Sequence, residues 1–320
     1  MSFFSRRCLS GAKLIGKTAL VTGCNAGIGK ETVLDFYKRG ARVIMACRNL
    51  EKAEEAKNEI EKSCVDLSEK GNIVIVKCDL TSLKSVRECA KNLLDTEPQI
   101  NILVNNAGVM MCPKGETEDG FEVQIGTNHL AHYLLTLLLL PRIRKSTPAR
   151  IVTVSSRAHM RNGLDLDDLN FKKRNYNASD AYAQSKLANI LFSKELAVKL
   201  KEYNIEGINT YSLHPGVVKT ELGRYLNETL FWGSRQIISV LFGPFLLSPE
   251  QGAQTTIYCS IDEKTANETG LYYSNCSATA PSSRTFKEEH CSKLWDLSAE
   301  LVGLGDYNPF TATDPGVKKD

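Results

Sequence analysis

Tyr182 and Lys186 stand four residues apart in Tyr182-Ala-Gln-Ser-Lys186. On a helix, that spacing puts both side chains on one face about a turn apart. An ammonium beside a phenol favours the phenolate, so the pair predicts a tyrosine pKa lowered from about 10 and suited to acid–base work. The same spacing occurs on solvated helix faces, and only the surrounding chain can distinguish the two. A second group of residues is Gly23-Cys24-Asn25-Ala26-Gly27-Ile28-Gly29. Glycines so placed let a backbone turn tightly and approach a pyrophosphate, which sits where the free N–H groups of a helix N-terminus point. A third is Asn128, a polar amide inside an apolar helical run, where an amide is a poor choice unless its side chain has a task. His129 and His132 raise the question of a metal. No third ligand accompanies them at a recognisable spacing, so packing or a surface position is the preferred reading and no metal is expected.

The elements around these residues follow one rhythm. Thr18 to Thr22 is a short apolar run before the glycines, and a helical pattern follows through Ile28, Val33, Leu34, Phe36 and Tyr37 to Gly40. Strand, glycine turn and helix form the first unit of a dinucleotide fold. A second strand, Arg42 to Cys47, ends at Arg48, where an acid for the ribose 2′-OH is absent. A guanidinium there suits a 2′-phosphate and points to NADP(H), the alternative being a surface arginine. The strand Ile73 to Lys77 leads to Asp79 and Leu80, and Asp79 either accepts from an adenine amine or caps the next helix. Ile100 to Val104 runs into Asn105-Asn106-Ala107-Gly108, where small residues let backbone lie against a ligand and asparagines can tie strand ends together. A long apolar helix is expected over Gly120 to Lys145, then a strand Arg150 to Val154 ending at Ser155-Ser156. The helix Ala181 to Leu200 carries Tyr182 and Lys186. Glu206 to Leu213 reads as a strand closed by His214-Pro215-Gly216-Val217-Val218, Gln251 to Ser260 as a helix, and Gly270 to Tyr273 as a last strand. The expectation is an α/β fold: one doubly wound Rossmann domain with a parallel sheet over residues 15–303, after an extension of residues 1–14 and before a flexible tail at 304–320.

Composition narrows the classes. Apolar residues make up 42% of 320, charged residues 24%, and the net charge is +3, which suggests neither a nucleic-acid surface nor an acidic tail. Ten cysteines are irregularly spaced with no Cys-x-x-Cys pair, which fits buried thiols in a reducing compartment. Residues 221–248 are the most hydrophobic stretch outside the strands, but Arg235, Gly243 and Pro244 interrupt it. It is read as a helical lid over an apolar substrate with peripheral membrane contact, the alternative being a homodimer face. Met1 to Leu14 is too short and polar for a signal peptide or spanning helix, and a mitochondrial presequence is the less favoured reading.

Together, Thr22-Gly23-x-x-x-Gly27-x-Gly29, Asn105-Asn106-Ala107-Gly108, Asn128, Ser155-Ser156, Tyr182-x-x-x-Lys186 and Pro215-Gly216 resemble the short-chain dehydrogenase/reductase superfamily over residues 15–260. Finer wording, including Ala46-Cys47-Arg48, Ser185 to Asn189 and Gln251-Gly252-Ala253-Gln254-Thr255, resembles the retinol dehydrogenase 11 to 14 group. The resemblance implies an NADP-preferring oxidoreductase acting on retinal, retinol and other apolar aldehydes. It implies Tyr182 as acid/base and Lys186 as the group that lowers its pKa and holds the nicotinamide ribose. Ser156 would bond the substrate oxygen, and Asn128 would hold a relay water. Gly23, Asn25, Gly27, Ile28, Gly29, Arg48, Asp79, Leu80, Asn106, Ala107, Gly108, Tyr182, Lys186, Pro215, Gly216 and Val218 would line the cofactor site. Many such relatives begin with an apolar anchor of spanning length, which residues 1–14 do not supply. The expected address is cytoplasmic, or peripheral on the endoplasmic reticulum face. Two other readings are a general carbonyl or steroid reductase, and a catalytically idle NADP(H)-binding sensor or scaffold.

Overall fold

The structure is a computed structural model that describes residues 6–219, 221–229 and 246–318. Its frame is an eight-stranded sheet of β1 (Thr18–Thr22), β2 (Arg42–Cys47), β3 (Asn72–Lys77), β4 (Ile102–Asn105), β5 (Ala149–Val154), β6 (Ile208–His214), β7 (Leu271–Ser274) and β8 (Ser277–Thr279). The strand order is 3-2-1-4-5-6-7-8, parallel throughout except for the antiparallel β7–β8 pair. The chain adds strands outward on one side of β1 and then starts again on its other side with β4. That reversal opens a crevice at the carboxyl ends of β1 and β4, the place where open α/β sheets bind ligands.

Alternation along the strands explains the layers. Ala19 and Val21 of β1 face one core, with Val43, Met45, Val33 and Phe36, while Leu20 faces the other with Ile44, Leu103 and Leu134. All five residues of β1 are buried, as expected for a parallel strand covered on both sides. Helices α1 (Gly27–Lys38), α2 (Leu50–Ser63) and α8 (Pro249–Ile261) cover one face. The other is covered by α3 (Leu83–Thr96), α5 (Ala131–Lys145), α6 (Ala178–Glu202) and α9 (Glu289–Leu301). Sequence chemistry sets several helix starts. The Asn49 side chain accepts from Lys52 N to start α2, and Asn177 accepts from Ser179 N and Asp180 N, which begins α6 three residues before the expected Ala181.

Some expectations are corrected. The single helix foreseen over Gly120 to Lys145 is instead α4 (Val123–Ile125), a π-turn (Gly126–Leu130) and α5, with Asn128 inside the π-turn. The strand β8 and the helix α9 are additions. The tail after Gly303, whose composition suggested flexibility, packs on the core. Phe310 is buried and stacks on Tyr203 with ring centroids 4.7 Å apart, and Asp314 accepts from Nε and Nη2 of buried Arg142, each at 2.8 Å. Both contacts join residues far apart in the chain, so composition could not announce them. The 221–248 segment is described only in part: a 3₁₀ turn (Glu221–Tyr225), α7 (Leu226–Thr229), and residues 246–248. The lid reading of its apolar centre lies outside the described residues. Among the described residues no helix is long and apolar enough to cross a membrane.

Candidate active site

The glycine turn is shaped by what lies against it. Gly23 has φ +60°, and a Cβ there would fall 2.6 Å from the Cβ of Ala107. A Cβ on Gly29 would fall 2.5 Å from Nδ2 of Asn106 and 2.8 Å from Gly23 O. The first turn of α1 is thus pressed onto the residues that follow β4, a packing only glycine permits. Asn106 fastens the junction, its Nδ2 donating to Thr22 O at 2.8 Å and Gly23 O at 3.1 Å. It ties the two strand ends as expected. Helix α1 has no side-chain cap at Ala26 and no acid in its first turn, unlike α2 and α6. Its N-terminal N–H groups and positive dipole end therefore remain available to an anion, and this is the feature of the fold that fits a pyrophosphate.

Ile28 belongs to the same wall. A Cβ on Gly252 would lie 2.6 Å from Val218 and 3.1 Å from Ile28, so the turn, the post-β6 segment and α8 converge there. Pro215 and Gly216 are half-buried just past β6, and Asn25 is half-buried in the turn. Arg48 is exposed at the end of β2. Asp79, past β3, accepts through Oδ1 from Thr81 N at 3.0 Å and Thr81 Oγ1 at 2.7 Å. Ser82, not Asp79, caps α3. The Leu80 side chain is buried in the core.

On the other side of the crevice, α6 presents Tyr182 and Lys186, both buried. Ser156, just past β5, accepts from Ala158 N at 3.1 Å and lies close enough to the Tyr182 hydroxyl to lower its pKa. Lys186 Nζ donates to Val154 O at 3.0 Å and lies 5.8 Å from the centroid of the Tyr182 ring. The Ser155 hydroxyl donates to Lys186 O at 2.6 Å, and Asn189 Nδ2 donates to Val154 O at 3.1 Å. A Cβ on Gly108 would sit 3.2 Å from Asn128 Oδ1 and 3.3 Å from Lys186 Nζ, so these three residues meet at one point. Asn128 grips the Val109 backbone with both ends of its amide, accepting from N at 2.8 Å and donating to O at 2.9 Å. Nδ2 also donates to Ser185 Oγ at 2.9 Å.

One electrostatic expectation is overturned in this geometry. Burial pushes the Tyr182 phenol up to about 12, only partly opposed by the Ser156 hydrogen bond. Burial brings Lys186 down to about 8. Lys186 Nζ is held by Val154 O, and burial sets the direction of the Tyr182 shift in this geometry. Spacing alone placed the pair correctly on one helix face but could not show which oxygen the ammonium chooses.

Sequence reasoning left out several supporting residues. Ser155, Ser185 and Asn189 hold the catalytic candidates in place, and the signal was their position inside motifs already noted. Both histidines are buried, not at the surface. His129 Nε2 is 2.8 Å from Ser298 Oγ, and His132 lies between Thr22 and Asn128.

A family described as short chain dehydrogenase matches residues 17–230. Human retinol dehydrogenase 13 is 43% identical over 297 residues, 93% of this chain and 88% of its own length. Human retinol dehydrogenase 12 is 44% identical over 298 residues, with 93% and 90% covered. Among solved structures, an uncharacterised protein from Mycobacterium paratuberculosis superposes with a TM-score of 0.72 at 32% identity, covering 91% of this chain and 95% of that one. A Pseudomonas aeruginosa RhlG/NADP active-site complex superposes with a TM-score of 0.62 at 25% identity, covering 81% and 94%. With the glycine turn at the sheet reversal and the Tyr182–Lys186 pair facing it, this chain belongs to the short-chain dehydrogenase family, oxidoreductases that bind a nicotinamide cofactor.

Proposed function

We propose that this protein is an NADP(H)-dependent oxidoreductase that interconverts an apolar aldehyde and its alcohol, with retinal and retinol as the leading pair. The observation that carries the reading is the convergence of Ser156, Tyr182, Lys186 and Asn128 beside an uncapped α1 N-terminus. The cofactor, when bound, supplies or accepts hydride at the carbonyl carbon. Each remaining task falls to a residue of this chain. The Tyr182 phenol is protonated at neutral pH and donates its proton to the substrate oxygen in the reducing direction. Ser156 hydrogen-bonds the same oxygen and steadies its developing charge. Lys186, cationic below about pH 8, would hold the nicotinamide ribose. Asn128 fixes Val109 and thereby the wall of the site.

Preference for the phosphorylated cofactor rests on Arg48, and substrate class rests on the likeness to retinol dehydrogenases. The test is NADPH oxidation by purified protein with all-trans-retinal, hexanal and a steroid ketone, with Tyr182→Phe as control. Turnover of retinal at low substrate concentration, lost in the variant, is the expected result. Turnover of hexanal and the ketone at equal efficiency makes it a general carbonyl reductase. NADPH binding without turnover of any of the three overturns the proposed activity.

A further inference from the structure

His132 is buried on α5, one turn beyond Asn128, and takes no part in the chemistry above. Its Nδ1 lies 3.0 Å from Asn128 O, and its Nε2 lies 2.9 Å from Thr22 Oγ1. The same Thr22 oxygen accepts from Ala107 N at 3.0 Å and from Asn106 N at 3.0 Å, the latter N–H being shared with Val104 O at 3.0 Å. Its two lone pairs are then taken, so the hydroxyl proton must be donated outward. The nearer acceptor is His132 Nε2; the alternative, Val104 O, is 3.4 Å away. At the other end, a carbonyl oxygen can only accept, so Nδ1 must carry the ring proton. Both ends select one tautomer, with Nδ1 protonated and Nε2 bare. A doubly protonated ring would aim an N–H at an oxygen whose lone pairs already face two amide donors. Burial and the Lys186 charge also oppose that form, lowering the group to about 4.

These bonds close a ring. It runs from Thr22 through the amides of residues 106 and 107, along the chain to Val109, across to the Asn128 side chain, and back through Asn128 O and His132. One side of the ring is the floor of the glycine turn, and the other is the π-turn facing Lys186. We propose that His132 is a positioning residue which, as the neutral Nδ1–H tautomer, locks the cofactor cradle to the catalytic wall so that the two keep a single spacing. The proposal rests on the oxidoreductase reading given above.

The first test uses wild-type protein and needs no turnover. ¹⁵N NMR of histidine-labelled protein at neutral pH should show a pyrrole-type Nδ1 and a pyridine-type Nε2 for His132. An Nε2–H tautomer or a charged ring overturns the proposal. The second is a double-mutant cycle. His132→Phe and Thr22→Val should each lower kcat/KM about tenfold, the scale of one buried hydrogen bond, and the double variant should lose no more than the worse single. Thr22→Ser, which keeps the hydroxyl, should stay within about twofold of wild type. Losses that multiply, or a Thr22→Ser as impaired as Thr22→Val, would mean His132 merely fills space. If wild type turns over no aldehyde, the oxidoreductase reading fails, and the NADPH Kd of the same four proteins still reports whether Thr22 and His132 act together.

Discussion

Replacing Arg48 with Ala isolates the choice between the two nicotinamide dinucleotides. Arg48 is exposed just past β2 and, among the described residues, makes no hydrogen bond or ion pair. Its removal should therefore leave folding nearly untouched, within about 0.5 kcal/mol, as for other surface substitutions away from packed features. A hydrogen bond from a guanidinium to a 2′-phosphate contributes about 1.5–3 kcal/mol, and each 1.4 kcal/mol is roughly tenfold in affinity. NADPH KM should then rise about ten- to hundredfold, nearer the lower figure because solvent screens an exposed cation, while NADH KM stays put. Arg48→Lys should retain part of the preference, since an ammonium supplies charge but not the planar fork. The assay is kcat/KM for both cofactors at one fixed aldehyde concentration, at low and high salt, with Tm as the folding control. A parallel loss with NADPH and NADH would place Arg48 on a part common to both cofactors. No loss with either would return it to the surface and refute the phosphate contact.

Four further outcomes are expected. Asp314→Ala leaves the buried Arg142 guanidinium without its carboxylate and should cost about 3–5 kcal/mol. At about 2.1 cal/mol/K per residue that is roughly 4–7 °C in Tm, and an unchanged Tm would mean the tail does not dock. Arg142 holds the Asp314 carboxyl below its ordinary range, so its contribution is present above about pH 4 and lost as pH falls through the lowered pKa; the Tm advantage over Asp314→Asn should shrink on acidification. Gly29→Ala would drive a methyl into Gly23 O and Asn106, and should weaken NADPH binding by about tenfold or more, read by fluorescence titration; unaltered affinity would contradict the close approach. Lys186 is protonated below about 8 and loses its charge above, so kcat/KM for reduction should fall as pH rises through that value, and a flat profile from about pH 7 to about 9.5 would remove it from the charge-bearing role.

What could be read directly from the sequence was local. An apolar run, three glycines and an amphipathic repeat specify β1, its turn and α1 because each is decided within a few residues, by φ at Gly23 and by side-chain periodicity. The placement of Tyr182 and Lys186 on one face of α6 follows equally from spacing. The alternation of strands and helices dictated a parallel sheet, and the observed order adds only β8 and its antiparallel edge.

The tertiary structure decided everything that depends on partners distant in the chain. Which oxygen Lys186 holds depends on β5 lying beneath α6, and the Tyr182 phenol rises because its three-dimensional neighbours bury it. The π-turn at Gly126–Leu130 gave no periodicity signal, yet it sets where Asn128 meets Val109. The tail looked unstructured by composition, but Arg142 and Phe310 find partners 172 and about 107 residues away. Hydrogen-bond partners, burial and pKa arise from three-dimensional neighbours, whereas helix, turn and strand arise from sequential ones. The candidate site residues were therefore legible one by one, and the bonds and burial around them were not.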